Sequence, residues 1–499
     1  MRSAALLLLA VCGSVAAQDV PLVFDVENTS AGLPKPALLR VDQFRSNLTL
    51  PDPFRLFNGS LDTGFAGWER RRAEVMASLE SYEIGPKPDP ADVDVTATYA
   101  NDTLSVVVTR KSNGRSLTLR SPIFLPSGSG PFPAVIGMTW RCSPAFPCTG
   151  TGSLPSDIFT SRSVARIPYF HDQVTTYFAS SHANDAYFSL YPEYQVANGN
   201  IGQYSAWAWG VSRLIDGIQI AARQGSLPID LSHLAVTGCS YAGKMALFAA
   251  ALDERVALAI AQESGGGGMP AWRVSHAVEP NGSVEKIDNT NYTWFMKDMR
   301  AFSADSVFTL PHDHHELMAI VAPRALLATG NTDYTWLSNR SAYISARAAR
   351  ETYEQLGIGD RFGFYIDGGH RHCNVPDSER PVVEAFVDKF LLGRSAGTNI
   401  QIAPYPDLDY QGWMPWSLRR DIKQLVLGGT LTAKQGAGLS DKLEAALASI
   451  AAGKTKPALK QLDAFVNQAT ALVKTGALTA EQGAAMIGRV NSTRSRLGA

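Results

Sequence analysis

The chain has 499 residues, 45% hydrophobic and 18% charged, which is enough for one large core and a smaller appendage. Its formal net charge is -1 and its sequence pI is near 6.8, which gives no electrostatic case for a nucleic acid or an anionic membrane as partner. After the first residues, no run of about 18 apolar residues occurs, so no membrane anchor is expected.

The N-terminal segment has the pattern of a secretory signal peptide. Met1 and Arg2 precede an apolar run over residues 4–11, and small residues continue to Ala17. The pattern predicts a signal peptide over residues 1–17 and a secreted, extracellular protein. Eight sequons favour a eukaryotic secretory pathway, although a sequon only permits a glycan. The predicted glycosylation sites are Asn28, Asn47, Asn58, Asn101, Asn281, Asn291, Asn339 and Asn491.

The first part of the chain predicts an extended segment followed by strands. Residues 18–65 are rich in proline and polar residues, which indicates a segment that wraps the body, and a helix is expected over residues 68–82. Hydrophobic patterning then predicts strands at residues 94–99, 104–109, 116–119 and 132–138.

Beyond Ala206, helical runs alternate with short apolar strands. Helices are predicted at residues 206–223 and 242–252, and strands at residues 234–238, 256–261, 325–329 and 362–366. This alternation predicts an α/β fold with a mostly parallel sheet covered by helices on both faces. We expect a three-layer catalytic domain over residues 18–394, with catalytic groups in loops at the carboxyl ends of the strands.

The composition changes after about Gly393. Residues 395–416 are rich in Pro, Tyr and Asp and predict a linker, whereas residues 417–499 are rich in Ala, Leu, Lys and Gln with helical periodicity. A segment that begins at Gly429 recurs at Gly476, and each copy holds a Thr-x-x-Gln capping box that predicts a helix start. The tail is therefore predicted to be a small all-α module. Its role, as spacer, binding module or packing cap, stays open.

Ser240 lies where an apolar run beginning at Leu234 meets small residues and then a helical stretch. A nucleophile elbow has this pattern, because a strand that turns sharply into a helix needs small residues near the serine. Gly238, Ala242 and Gly243 meet that need. Serine is a poor nucleophile until a base takes its proton, so a histidine and an acid are required as well.

Both of these groups are available downstream. Glu263 follows the predicted strand 256–261 and precedes four glycines that let the backbone approach a ligand closely. His372 follows the strand 362–366, in a loop that can bring it over the serine. The order Ser, acid, His is that of the α/β-hydrolases. Asp333 is a rival acid, because that fold usually places its carboxylate after the later strand.

Four cysteines remain outside the predicted signal peptide: Cys142, Cys148, Cys239 and Cys373. They allow three disulfide connectivities. Cys142 and Cys148 are close enough in sequence to staple one loop. A bridge between Cys239 and Cys373 would tie the candidate nucleophile to the candidate base.

Six short motifs carry a specific resemblance to a known family. They resemble, in order and spacing, the glucuronoyl esterases of carbohydrate esterase family fifteen, and the similarity covers about residues 82–393. The motifs are Gly-Cys-Ser-x-x-Gly-Lys at 238–244, Gln-Glu-Ser-Gly at 262–265, Trp272-Arg273, Leu310-Pro311-His312-Asp313-His314-His315, Ala322-Pro323-Arg324 and His372-Cys373.

The resemblance implies a serine esterase of the α/β-hydrolase superfamily, without metal or cofactor. Its substrate would be the ester between 4-O-methyl-glucuronic acid on xylan and an alcohol of lignin. Ser240 would be the nucleophile, Glu263 the orienting acid and His372 the general base. We expect a monomer that acts on glucuronoxylan-lignin esters and has no nucleic-acid or membrane partner.

The resemblance also implies further site residues. Lys244 matches a lysine that contacts sugar hydroxyls, and Trp336 resembles the tryptophan that lines the uronate pocket. Glu285 is assigned as a further sugar ligand in a segment that aligns less cleanly. Cys239 and Cys373 match the disulfide that the family carries beside its active site.

One position departs from the family. The family usually carries Arg directly after the nucleophile, contributing to the oxyanion site, and this chain has Tyr241. The backbone N–H of Tyr241 can still donate, and so can a phenol, but a fixed positive charge is lost. Losing one oxyanion donor typically costs roughly 100- to 1,000-fold in rate.

Other interpretations of the same residues remain open. A second class of secreted carboxylesterase, acting on acetyl, feruloyl or other uronate esters, would keep the triad and tolerate Tyr241. A weakly active protein that binds polysaccharide is the other alternative. His312, His314 and His315 offer a metal interpretation, but the family match predicts packing and hydrogen-bonding roles for them. His370 is expected to be structural.

Overall fold

The computed structural model describes residues 20–140, 148–177, 182–195, 201–279 and 283–499. The predicted signal peptide, Cys142 and Asn281 lie outside these ranges. Among the described helices, none is both long enough and apolar enough to cross a bilayer.

The described strands are β1 (Val93–Ala100), β2 (Thr103–Arg110), β3 (Ser116–Pro122), β4 (Phe132–Thr139), β5 (Ala165–Phe170), β6 (Ile229–Cys239), β7 (Leu258–Gln262), β8 (Ala325–Asn331), β9 (Phe362–Asp367) and β10 (Gln401–Ile402). The described helices are α1 (Phe65–Leu79), α2 (Asp157–Thr160), α3 (Ala186–Leu190), α4 (Gln203–Arg223), α5 (Tyr241–Ala251), α6 (Trp272–Val278), α7 (His314–Ala319), α8 (Asn339–Gln355), α9 (Arg380–Phe390), α10 (Leu418–Leu427), α11 (Ala433–Ala451), α12 (Thr455–Lys474) and α13 (Ala480–Arg496).

A parallel sheet forms the centre of the molecule. Within the described residues it has seven strands in the order β10-β9-β8-β7-β6-β4-β5, and every neighbouring pair is parallel. Successive residues of β4 face opposite layers: Val135 packs with α2 and α9, and Ile136 packs with α4 and α5. Burial on both faces explains the near-continuous apolar sequence of the central strands. The predicted three-layer α/β sandwich is confirmed.

The first three strands form a separate antiparallel sheet in the order β1-β2-β3. The two residues between β1 and β2, Asn101 and Asp102, both have positive φ, which is the geometry of a tight hairpin turn. Short links allow only antiparallel pairing, because a parallel pair needs a crossover of a dozen or more residues. The strands were predicted, but their separation from the main sheet was not.

The segment 20–64 wraps the body as predicted. Its backbone forms hydrogen bonds to distant parts of the chain: Phe24 N–H donates to Glu254 O, Asn47 N–H to Phe308 O and Leu50 N–H to Trp413 O. Such bonds fix an extended segment that has no core of its own.

The predicted linker over residues 395–416 is not a linker in the structure. Within it, β10 pairs with β9 and forms the edge of the central sheet, and Trp413 and Trp416 are buried. The aromatic residues that enriched this segment are therefore packing residues. A composition rich in Pro, Tyr and Asp is found both in exposed linkers and in segments packed on a domain, so composition alone did not separate the two.

The C-terminal module is helical as predicted, and both capping boxes are present. Thr432 and Thr479 accept hydrogen bonds from the backbone N–H groups of Gln435 and Gln482, and each glutamine side chain bonds back to its threonine N–H. The module shares a core with the body, since Leu439 and Phe465 belong to the same hydrophobic cluster as residues of α6 and α8. This packing argues against a free spacer and leaves the roles of cap and binding module.

Candidate active site

Ser240 occupies the sharp turn between β6 and α5. Its backbone has φ 59° and ψ -127°, a conformation that costs energy for a side chain other than glycine and is typical of a nucleophile elbow. The neighbouring glycines are required. A Cβ at Gly238 would lie 2.3 Å from Ala242 O, and one at Gly243 would lie 2.4 Å from Gln262 O. The first N–H groups of α5 have no helical partner and point at this turn.

Glu263 and His372 form a hydrogen-bonded pair beside the elbow. His372 Nδ1 lies 2.6 Å from Glu263 Oε2, and the other carboxylate oxygen accepts the N–H of Cys373 at 3.0 Å. Glu263 is buried after β7, whereas the His372 side chain is 23% exposed. A buried carboxylate that holds one imidazole nitrogen leaves the other free to face solvent and substrate.

A disulfide between Cys239 and Cys373 joins the elbow to the histidine loop. Because Cys239 precedes Ser240 and Cys373 follows His372, the bond holds the two candidate catalytic residues near each other. The predicted pairing is therefore present in the structure. The pairing of Cys148 with Cys142 stays a prediction, since Cys142 is outside the described residues.

Asp333, the rival acid, forms no hydrogen bond or ion pair with His372 in the described structure. Its carboxylate accepts the N–H of Gly369 at 2.8 Å and so braces the start of the histidine loop. The neighbouring Tyr334 was not anticipated: its hydroxyl accepts the N–H of His372 at 2.9 Å. This partner is 38 residues away in sequence, and no local pattern marks it.

Lys244, Glu285 and Trp336 come together as the resemblance implied. Lys244 Nζ lies 3.0 Å from Glu285 Oε2, and the Glu285 N–H donates to Trp336 O. Trp336 is 42% exposed, and its ring stands edge-on to His372 with centroids 5.8 Å apart. Trp294, which the sequence did not single out, lies under Lys244, with Nζ 5.4 Å from the ring centroid.

The four glycines at residues 265–268 leave room for the side chain of Glu285. A Cβ at Gly265 would lie 2.5 Å from Glu285 Oε2, and one at Gly266 would lie 2.6 Å from Glu285 Cβ. The glycines thus admit a side chain of the pocket wall, whose carboxylate then reaches Lys244. The predicted close approach is made by Glu285.

The Tyr241 side chain points into the protein. It is buried among aromatic rings, and its hydroxyl lies 2.9 Å from His171 Nε2. Burial raises the pKa of the phenol, so the hydroxyl keeps its proton at neutral pH. The Tyr241 hydroxyl is therefore paired with His171. The backbone N–H of Tyr241 is left as the group of this residue that can donate to the oxyanion.

Tyr241→Phe is expected to lower the free energy of unfolding by about 1–3 kcal/mol, because His171 Nε2 then stays buried without its partner. The rate of ester hydrolysis should change little, since the backbone N–H is kept. Urea unfolding together with initial rates tests this. Tyr99→Phe is the matched control, because that hydroxyl bonds to Asp102 at the surface. A large loss of rate in Tyr241→Phe without loss of stability would contradict this assignment.

His370 and Glu379 lie behind the Glu263–His372 pair. His370 Nε2 is 3.0 Å from Asp367, and its Nδ1 is 3.9 Å from Glu263 Oε1. Burial, together with the charges of Asp367 and Glu263, raises the pKa of Glu379 to about 8. A protonated Glu379 adds no negative charge to this region at neutral pH. The contacts of His370 are consistent with the structural role expected for it.

The three histidines of the Leu-Pro-His-Asp-His-His motif are buried in hydrogen bonds. His312 and His314 each contact one oxygen of Glu83, at 2.8 and 2.7 Å, and His315 Nε2 lies 2.9 Å from Pro51 O. Their ring nitrogens face these acceptors, so the arrangement explains the motif as packing around a buried carboxylate. No local pattern marks Glu83, which is more than 200 residues away in sequence.

The structure argues against one predicted glycosylation site, and the others stay predictions. Asn339 is buried at the start of α8, and its amide nitrogen donates to Asn331 O at 2.8 Å, so the folded protein leaves no room for a glycan there. Asn281 lies outside the described residues. The remaining predicted sites reach the surface at least in part: Asn28, Asn47, Asn58, Asn101, Asn291 and Asn491.

The parallel sheet, the elbow and the acid–histidine pair define this protein as an α/β-hydrolase. Its sequence matches the family described as "Glucuronyl esterase, fungi" over residues 108–357. It is 37% identical to 4-O-methyl-glucuronoyl methylesterase 1 of Phanerochaete chrysosporium, over 71% of this chain and 72% of that protein. It is 32% identical to 4-O-methyl-glucuronoyl methylesterase of Neurospora crassa, over 83% of this chain and 97% of that protein. The chain belongs to the glucuronoyl esterase family.

Solved structures agree with this assignment. The glucuronoyl esterase from Sporotrichum thermophile superposes with a TM-score of 0.67 at 32% identity, over 76% of this chain and 97% of that one. A serine-to-alanine mutant of that enzyme, in complex with methyl 4-O-methyl-β-D-glucopyranuronate, superposes with a TM-score of 0.66 at the same identity and coverage. The catalytic domain from Hypocrea jecorina gives a TM-score of 0.65 at 32% identity, over 74% of this chain and 95% of that one.

Proposed function

We propose that this protein is a secreted serine esterase that hydrolyses 4-O-methyl-D-glucuronoyl esters linking glucuronoxylan to lignin. The hydrogen bond between Glu263 and His372, tied to the Ser240 elbow by the disulfide, carries the proposal. The solved relative in complex with a methyl 4-O-methylglucuronate supports a uronate as the acyl part of the ester.

In the acylation step, the free nitrogen of His372 takes the proton of Ser240. The serine oxygen attacks the C6 carbonyl of the uronate, and the carbonyl oxygen becomes an oxyanion. The backbone N–H of Tyr241, at the positive end of α5, donates to this oxyanion. The alcohol then leaves with the proton from His372, and an acyl-enzyme remains.

In the deacylation step, the same histidine activates water. His372 takes a proton from the water molecule, the hydroxide attacks the acyl carbon, and Ser240 regains its proton as it leaves. Glu263 stays ionised throughout and holds the imidazole in one tautomer and orientation. The products are the free uronate and the restored enzyme.

Lys244 and Glu285 are the proposed sugar ligands, and Trp336 is the proposed wall of the uronate pocket. Lys244 is buried and paired, so its ammonium is held in place before the sugar arrives. A cation and a carboxylate side by side offer both a donor and an acceptor to neighbouring hydroxyls. The exposed face of Trp336 offers an apolar surface to the sugar ring.

Exposure of the site suits a bulky alcohol group. The imidazole of His372 is 23% exposed and Trp336 is 42% exposed, so the ester does not have to enter a deep channel. Secretion fits the disulfide next to the active site, because such bonds persist in oxidising compartments. Both arguments support a substrate that is an insoluble polymer outside the cell.

The proposal predicts serine-dependent hydrolysis of glucuronate esters. Benzyl glucuronate, methyl glucuronate, acetyl xylan and methyl ferulate are compared with the full chain, and Ser240→Ala serves as the blank. Release from benzyl and methyl glucuronate, absent in Ser240→Ala, is the expected result. Turnover limited to acetyl xylan or methyl ferulate would instead place the protein among other carboxylesterases, and no turnover on any ester would contradict an esterase.

A further inference from the structure

The C-terminal helical module, residues 417–499, is strongly basic although the whole chain is nearly neutral. It holds twelve Lys or Arg side chains and five Asp or Glu, a net charge of +7. The rest of the chain therefore carries -8, since the whole chain has a net charge of -1. The near-neutral net charge of the whole chain therefore conceals a basic C-terminal module on a more acidic body.

The arginines of the module are used to hold it in place. Arg419 pairs with Asp52 and Arg420 with Glu351, both on the body, at 2.6 Å. Within the module, Arg489 pairs with Asp421, Arg494 pairs with Asp463, and Arg496 lies over the ring of Trp413. Asp52, Glu351, Asp421 and Asp463 are thus paired with arginines of the module and not with its lysines.

Six of the seven lysines of the module are exposed, and Lys442 is half-buried. None of its seven lysines takes part in an ion pair within the described residues. Lys456, Lys460 and Lys474 are exposed on α12. Lys456 and Lys474 are five helical turns apart and Lys460 is one turn from Lys456, so the three lie on one face over about 27 Å. We call this face the lysine stripe.

The residues between these lysines do not cancel their charge. Asn467 is neutral, and Asp463, the acid on this face, is paired with Arg494 at 3.0 Å. No exposed large hydrophobic side chain lies on α12 in the described structure. The stripe is therefore an extended cationic surface without an apolar edge.

We propose that the lysine stripe binds an acidic polysaccharide through its free uronate carboxylates. The proposal rests on the function proposed above, because hydrolysis of a glucuronoyl ester creates such a carboxylate on the polymer. Ammonium groups spread along one line match charges spaced along a chain better than a single sugar. Weak contacts at the stripe hold the polymer on the enzyme and so raise its effective concentration at the active site.

Two other anionic partners fit this surface less well. Lysine binds phosphate and carboxylate alike, but a nucleic acid has no link to the proposed reaction, which creates carboxylates on a polysaccharide. A helix that lies on a membrane inserts large apolar residues below its basic face, and α12 buries its apolar face in the core of the protein. Uronate carboxylates need only exposed point charges, which lysine supplies.

Binding is tested with the full chain in the Ser240→Ala background, which removes turnover from the measurement. The test variant carries Lys456→Gln, Lys460→Gln and Lys474→Gln. The matched control carries Lys35→Gln, Lys111→Gln and Lys297→Gln, the same change in charge at exposed lysines of the body. Affinity electrophoresis compares retention in gels of glucuronoxylan, polygalacturonate and uncharged arabinoxylan.

The test variant is expected to bind both acidic polymers roughly tenfold more weakly at low salt, while the control binds like the parent. Equal retention of the two variants would overturn the proposal, as would equal retention of the parent by arabinoxylan. Tighter binding to duplex DNA or to phosphatidylserine vesicles than to polygalacturonate would also overturn it.

Failure of the stripe and failure of the esterase can be separated. With Ser240 restored, the lysine variant should hydrolyse benzyl glucuronate at the parental rate, since none of the proposed catalytic and sugar-binding residues lies on α12. Absence of that activity in the parent would contradict the esterase alone. Loss of polymer binding is measured without turnover and concerns the stripe alone.

Discussion

Glu263→Gln is expected to lower kcat for benzyl glucuronate by roughly 10⁴-fold, the loss typical of replacing the acid of a serine triad by its amide. The Glu263 carboxylate accepts from two donors, His372 Nδ1 and the N–H of Cys373. An amide has a single oxygen, so it accepts from one of them and turns its NH2 towards the other. The imidazole is then held in the wrong tautomer for taking the proton of Ser240.

Asp333→Asn is the matched control for the acid. Asp333 accepts the N–H of Gly369 and forms no hydrogen bond or ion pair with His372 in the described structure, so its amide should leave kcat little changed. Initial rates are compared for both variants, with thermal unfolding to show that both are folded. A severe loss in Asp333→Asn and a mild one in Glu263→Gln would transfer the role of the acid to Asp333.

Glu83→Gln is expected to lower the free energy of unfolding by about 3–5 kcal/mol, the cost typical of breaking a buried ion pair by removing one partner. Glu83 is fully buried between His312 and His314. Burial alone would raise the pKa of Glu83, but His314 and His312 hold it at about 2. The same pairing raises the pKa of His314 in spite of its burial.

The effect of Glu83→Gln should depend on pH. A lowered carboxylate pKa stabilises the fold fully above the ordinary value of 4.5, and this contribution is lost as the pH falls towards 2. A raised histidine pKa stabilises the fold fully below 6.5, and this contribution is lost above the raised pKa. The difference between parent and variant is therefore greatest between about pH 4.5 and 6.5.

Urea unfolding at a series of pH values measures this dependence. The control is Asp305→Asn, which removes a carboxylate that bonds to His276 but is 96% exposed, so its loss should cost little at any pH. Equal destabilisation by the two changes, or an effect of Glu83→Gln that does not vary with pH, would show that Glu83 and His314 are not a charged pair.

Local signals in the sequence predicted local structure well. The small residues around Ser240 marked the elbow because a Cβ at Gly238 or Gly243 would collide with backbone oxygens. The two Thr-x-x-Gln boxes marked helix starts because their hydrogen bonds close within three residues. In both cases the interacting groups lie within a few residues of each other, so the feature can be predicted from this sequence alone.

Features that depend on contacts between residues far apart in the sequence were not predicted. β5 carries a proline and an arginine in an edge strand, and β10 has two residues, so neither shows a strand pattern. Tyr334, Trp294 and His171 contact site residues that are tens of residues away in sequence. Their roles follow from the packing of the sheet and its loops, which periodicity does not encode.

Trp413 and Trp416 are buried, and Arg419 and Arg420 form ion pairs with the body. These contacts limit how this gene can change in evolution. A domain on a free linker can be exchanged between genes as a cassette, because its neighbour keeps its own surface. Here the outer faces of α6 and α8 are part of the core of the tail. The C-terminal helices can therefore be gained or lost only together with compensating changes in the enzyme that they cover.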